Sequence, residues 1–274
     1  MNTYICRYCR QPSDPGSPTC PLCGAPVDIR SVVSDSGWVE QPPIRDMARL
    51  QLGQSHCQIA GTTVPAAEFT LAPEDWIYFS HHVLLWTEPQ TRLTNMPMKG
   101  AWNRKMAGLP LIMVEARGPG HLALSDNHAG EIVALPMQHG QQIWVREHRF
   151  LAATGNINYD WYPSDVWYET GQDSDDREMH YPMGQYGDVF GAQAAPGLLL
   201  LHGNGNVFER TLGAGEKIQL EPGGFLYKDS SVQMNTVKQN IKTGLMGHNM
   251  FLAEMVGPGR VGIQSMYHHH GHSE

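Results

Sequence analysis

The chain has 274 residues, of which 41% are hydrophobic and 17% charged, and it carries a formal net charge of -8. That is enough chain to bury a core without disulfide staples, and the acidic balance argues against a broad phosphate-neutralising surface of the kind that binds nucleic acid. No stretch approaches the roughly 20 uninterrupted apolar residues of a membrane-spanning helix, and 29 Gly with 19 Pro suit many short strands joined by tight turns rather than long helices.

The first ten residues, MNTYICRYCR, have neither a signal-peptide apolar region nor the Arg-rich, acid-poor character of a transit peptide, so the expected compartment is the cytoplasm. Cys6 and Cys9 form one C-x-x-C pair, and Cys20 and Cys23 form a second. Each C-x-x-C turn aims two thiolates at one ion, and two such knuckles complete the tetrahedral Cys₄ shell of a closed zinc site. Gly24, directly after the last ligand, relieves a tight turn. Disulfides, a redox pair or an iron site are the competing readings; two pairs exceed what a thioredoxin-type motif needs, and disulfides fit a secreted protein better. The prediction is a zinc ribbon over 1–28 holding one structural Zn²⁺ per chain, followed by a linker over 29–47 that is rich in Ser, Asp, Gly and Pro.

A β domain is expected over 48–267, and it contains an internal repeat. Leu71, Ile77, Phe79, Leu84 and Leu85 recur with identical spacing as Met137, Ile143, Val145, Phe150 and Leu151, and again as Leu212, Ile218, Leu220, Phe225 and Leu226. Turn residues separate the first two positions of every copy, and the next two lie two residues apart, as alternate positions on one strand face must. Gly118-Pro119-Gly120 and Gly257-Pro258-Gly259 each precede an alternating strand, separated by nearly the same length of chain as Leu71 and Leu212; the middle copy has no such turn. Together these imply duplication of a whole β unit, with halves at about 48–170 and 195–267 joined by an acidic loop over 171–194.

Cys57 lies on an alternating segment and reads as a small buried hydrophobe. Lys99 to Gly108 is the best short-helix candidate, with Met98, Trp102 and Met106 at four-residue spacing packing it onto the sheet or, less favourably, onto a membrane or partner. His81, His82, His139 and His148 fall at strand or turn positions where polar side chains are ordinary. The close His-x-His with a downstream Glu of a metal-dependent cupin is absent, although His128 with Glu131 and His81 with His82 are fragments of such a pattern. Asp173, Asp175 and Asp176 lack the spacing of a calcium loop. Gly203-Asn204-Gly205-Asn206 lacks the Lys and Ser or Thr of a phosphate loop and is expected to form a hairpin turn. No nucleophile elbow is present, and the chain ends in a His-rich tail, 268–274.

The Gly-Pro-Gly turns and the segment from Gly140, Ile143 and Val145 to Phe150-Leu151-Ala152 resemble the altered-inheritance-of-mitochondria (mitochondrial biogenesis) family, over roughly Arg49 to Met266. The resemblance implies a duplicated β-sandwich, of double-stranded β-helix type and similar to the tryptophan RNA-binding attenuation protein subunit, packed as a homotrimer and without an agreed catalytic activity. The expectation is therefore an all-β, non-enzymatic, homo-oligomeric scaffold or adaptor whose zinc ribbon or oligomer face recruits a protein or membrane partner. The rivals are a small-molecule or metal-binding sensor or enzyme with a pocket in the β-sandwich and, more weakly, an RNA-binding protein.

Overall fold

The computed structural model describes residues 4–5, 12–14, 17, 19–25, 36–41, 48–96, 113–170, 177–243 and 246–267. Strands dominate, joined by turns, and no α-helix occurs among the described residues. The expected helix at Lys99–Gly108, the acidic run at Asp173–Asp176 and the His-rich tail lie outside them.

Strand pairing counts three consecutive copies of one six-stranded unit. Copy 1 comprises Ala66–Leu71, Trp76–Ser80, Leu84–Thr87, Arg92–Asn95, Met113–Arg117 and Gly120–Leu124. Copy 2 comprises Gly130–Met137, Gln142–Arg146, Phe150–Thr154, Asn158–Pro163, Tyr186–Gly191 and Gly197–Asn204, with a small hairpin, Tyr168–Thr170 and Glu178–His180, inserted after its fourth strand. Copy 3 comprises Val207–Leu212, Lys217–Leu220, Phe225–Asp229, Gln233–Thr243, Met246–Val256 and Gly259–Gln264. In every copy the first strand ends opposite a glycine that opens the sixth: Leu71 faces Gly120, Met137 faces Gly197 and Leu212 faces Gly259. The third strand also pairs with the sixth, and the fifth lies between the second and fourth. Each copy is thus a sandwich of two three-stranded halves.

The copies share sheets. The second strand of copy 1 pairs with the third strand of copy 2, fusing their halves into a six-stranded sheet. The second strand of copy 2 pairs likewise with the third strand of copy 3 in a seven-stranded sheet. A five-stranded sheet in copy 1, extended by the hairpin Ala48–Leu52 and Ser55–Ala60, and a three-stranded sheet in copy 3 flank these two. The expected linker contributes a strand as well, because Val39–Gln41 pairs with Val207–Glu209 at one end of the seven-stranded sheet.

Three apolar clusters fill the spaces between these sheets. Strands of the shared sheets serve two clusters, which accounts for runs with no polar alternation. In the Leu198–Leu201 run, Leu198 and Leu200 pack into the cluster of copy 1, whereas Leu199 and Leu201 pack into that of copy 2. Cys57 is fully buried in the copy 1 cluster, and burial pushes its thiol up to about 12, with Glu68 adding to the shift. Arg146 is the polar counterpart: its guanidinium donates to the carbonyls of Pro222, Gly223 and Pro182 at 2.9–3.0 Å, clamping copy 2 to copy 3.

The repeated turn after the first strand carries the chain from one sheet to the other. It closes by Asp75 N–H to Ala72 O, Gln141 N–H to Gln138 O and Glu216 N–H to Gly213 O. The carbonyls of Asp75, Gln141 and Glu216 then accept from Gly118, Ala192 and Gly257. Ala192 therefore stands in copy 2 where the other copies have the first Gly of Gly-Pro-Gly, and both Gly-Pro bonds are cis. Gly205 does form a turn, at φ 69°, but the strands on either side of it belong to different sheets. The hairpin expected at Gly203–Asn206 is instead a crossover between copies, like the loop over 125–129, because the strands before and after it do not pair with each other: Gly197–Asn204 pairs within copy 2, and Val207–Leu212 pairs with Gly259–Gln264 of copy 3 and with Val39–Gln41.

A Cβ on Gly118 would lie 2.1 Å from the carbonyl oxygen of Ala72, and one on Gly257 2.3 Å from that of Gly213. Backbone cannot yield as a flexible side chain can. Gly118→Ala and Gly257→Ala are each expected to lower unfolding free energy by about 2 kcal/mol or more, measured by urea denaturation. Gly140→Ala has open space around the added methyl but sits at φ 83°, so it should cost only the left-handed backbone strain, about 1–2 kcal/mol.

Candidate functional site

Of the four predicted zinc ligands, Cys20 and Cys23 are described, and Cys6 and Cys9 lie outside the described residues. Tyr4–Ile5 pairs antiparallel with Pro12–Ser13. Around the second pair the chain turns tightly: Gly24 N–H donates to Cys20 O at 2.9 Å and Cys20 N–H to Ala25 O at 2.7 Å. Gly24 has φ 69°, in the left-handed region that a side chain disfavours. This turn, together with two sulfur donors spaced by two residues, fits a zinc knuckle. Among the described residues no group of three or more His, Cys, Asp or Glu side chains is arranged to hold a metal.

Where copies 1 and 2 meet, several titratable groups converge. His202 follows the Leu198–Leu201 run on the sixth strand of copy 2 and is 1% exposed. Its backbone N–H donates to Arg149 O, but neither ring nitrogen has a hydrogen-bond partner. Asp126, in the crossover from copy 1, accepts from the backbone N–H of His128 and lies 2.5 Å from its Nδ1. Arg149 donates from Nη1 to Asn204 Oδ1 at 2.8 Å. His82, on the turn His81–Val83, is 2.9 Å from Ser80 Oγ, and its ring meets that of His81 edge to face. His148, at φ 62°, occupies the corresponding turn of copy 2, beside Glu147.

Burial dominates the electrostatics of this group. It lowers His202 to about 4, with the positive charge of Arg149 and His128 adding to the effect and the Asp126 carboxylate opposing it. His82 is lowered by burial and by His81 and His148. Burial alone would raise Asp126, but the bonds from His128 and the charge of His202 outweigh it and leave its carboxyl below the ordinary value. At neutral pH the arrangement is a neutral imidazole set among an ionised carboxylate and a guanidinium. The pair His81 and His82 is brought into ring contact; His128 bonds Asp126 rather than Glu131. His202 and Arg149 were not picked out from sequence, although a His ending a four-Leu run is a signal of a buried polar group.

At the other end of strand Gly130–Met137, a cleft of about 430 Å³ opens between the Ala48–Ala60 hairpin and the six-stranded sheet. Trp76, Leu50, Pro136 and Leu198 give it apolar walls, and Glu74 and Asp75 make it acidic. The Asp75 carboxylate is already engaged, accepting from Gln54 N–H, Ser55 N–H and Ser55 Oγ–H. It fixes the hairpin to the first turn of copy 1.

These features define a class: an all-β protein of serial sandwiches fused through shared sheets. A family model described as Mitochondrial biogenesis AIM24 matches residues 57–266, most of the chain. The chain belongs to that family. Its structure is similar to the crystal structure of protein SPYM3_0169 from Streptococcus pyogenes, with a TM-score of 0.57 and 18% identity over 78% of this chain and 94% of that one. At that identity the likeness is one of fold. No curated protein matches the chain. No helix among the described residues is long and apolar enough to cross a membrane.

Because the folded state holds His202 neutral, the unfolded chain takes up a proton first as pH falls. Stability should therefore decline between the ordinary histidine value and about 4, by up to about 3 kcal/mol from this group. In His202→Gln that part of the decline should disappear, as read by urea denaturation at pH 7, 5.5 and 4.5.

Proposed function

We propose that the protein is a non-enzymatic, cytoplasmic, homo-oligomeric scaffold or adaptor, with the N-terminal cysteine module, folded around one zinc ion, as its recruiting element. The observation that carries the reading is an apolar strand left at the end of a sheet. Among the described residues Leu84–Thr87 has a neighbouring strand on one side only, and it exposes 61% of Leu85 and 40% of Trp86. The equivalent Leu151 and Ala152 in copy 2, and Leu226 and Tyr227 in copy 3, are buried. An unpaired apolar edge invites association, and burying a leucine of this kind contributes about 2 kcal/mol. A trimer agrees with the family resemblance.

The zinc expectation rests on the donor set: Cys6, Cys9, Cys20 and Cys23 supply a closed thiolate shell, which structures a module and leaves no open position for catalysis. A small-molecule or metal-binding sensor or enzyme is the second reading. It is favoured by the acidic cleft beside Trp76 and by the unpartnered ring of His202.

Native mass spectrometry of untagged protein distinguishes these readings. The expected result is a trimer with one zinc per chain. Cys20→Ser combined with Cys23→Ser should abolish zinc binding and leave the trimer intact. A monomer, or iron or manganese in excess of zinc, would reject the scaffold in favour of the pocket reading.

A further inference from the structure

Copies meet within the chain through one register, used twice. Phe79, Tyr78 and Ile77 of copy 1 face Ala152, Ala153 and Thr154 of copy 2, antiparallel. Val145, Trp144 and Ile143 of copy 2 face Tyr227, Lys228 and Asp229 of copy 3, also antiparallel. With the copies aligned on Leu71, Met137 and Leu212, these pairings are residue-for-residue the same. A third use would set Leu220, Gln219 and Ile218 of copy 3 opposite Trp86, Thr87 and Glu88 of copy 1. Those two strands instead stand at the ends of separate sheets.

Side-chain direction follows the same rule. Leu151 of copy 2 leaves its own sandwich and packs into the cluster of copy 1, and Leu226 of copy 3 packs into that of copy 2. Leu85 is the equivalent residue and points to no preceding copy. At the other end of the chain, Ile218 and Leu220 are only half-buried at the rim of the third cluster, whereas the equivalent Ile77, Phe79, Ile143 and Val145 are buried. The exposed leucine and the incompletely covered cluster are complementary, and both arise where the register has run out of copies.

We propose that Lys217–Leu220 of one chain pairs antiparallel with Leu84–Thr87 of a second copy, Leu220 opposite Trp86, so that Leu85 enters the third apolar cluster of its neighbour. This rests on the scaffold reading and specifies its interface. The contact is head-to-tail, joining two different surfaces, and such contacts close into rings when the rotation per subunit permits. A trimer built this way is a ring of nine copies with a single repeating junction.

Thiol cross-linking tests the register. Thr87→Cys and Gln219→Cys chains, co-produced and treated with a short bifunctional maleimide, are expected to give a covalent dimer at least tenfold above the background of native cysteines, which each variant alone should not exceed. Leu85→Glu, on a side chain exposed in the single chain, should lose the assembly by light scattering with its circular dichroism spectrum unchanged. Self-linking of a single variant, linkage of a Thr87→Cys/Gln219→Cys double variant within one chain, or a Leu85→Glu protein that still assembles would each overturn the register while leaving the scaffold standing. A wild-type protein that is monomeric by light scattering, with no cross-link between the Thr87→Cys and Gln219→Cys chains, would remove both.

Discussion

Everything in this molecule depends on strands that serve two cores at once. A sheet buries both faces only if something apolar lies on each, and the six- and seven-stranded sheets meet that requirement by taking three strands from one copy and three from the next, with Val39–Gln41 added at the end of the larger. Neither copy alone completes its sandwich's surroundings. The energetic unit is therefore the junction between copies, which combines backbone pairing with the insertion of one leucine into the preceding cluster, and the Arg146 clamp reinforces it between copies 2 and 3. This is the logic of repeat proteins, in which nearest-neighbour interfaces carry much of the stability.

Much of this was legible in the sequence because the repeat is written in apolar spacing. Leu71, Met137 and Leu212 mark the end of the first strand in each copy, and the positions after them fall where the alignment places them. The all-β class followed from composition and turn residues. Topology was harder to read. A turn such as the one at Gly205 has the same residues whether it closes a hairpin or hands the chain to another sheet, and only the partners of the flanking strands decide between these. Copy 2 was obscured because Ala192 replaces the first glycine of its turn and an inserted hairpin interrupts its fourth and fifth strands. The strand Val39–Gln41 was hidden by its Ser-, Asp- and Pro-rich surroundings, since a three-residue edge strand needs no periodicity of its own.

The candidate sites divide differently. The cysteine pairs announce themselves because spacing is their chemistry. The group around His202 is assembled from the crossover at Asp126 and His128, the turn at His82 and the sixth strand of copy 2, segments far apart in sequence, and no local pattern unites them. Burial then makes the assembly matter, by keeping His202 neutral beside an ionised Asp126.

The strand Val39–Gln41 has one further consequence. It is fastened to copy 3, yet the next described strand, Ala48–Leu52, is fastened through its hairpin to copy 1. The short tether between Gln41 and Ala48 reaches at most about 25 Å when fully extended, so the first and last copies are held to that separation. A linear array of repeats unravels readily from its ends, one unit after another. Here the two ends are strapped together near the start of the chain, so fraying of copy 3 pulls on copy 1, and the three copies are expected to unfold as one cooperative body.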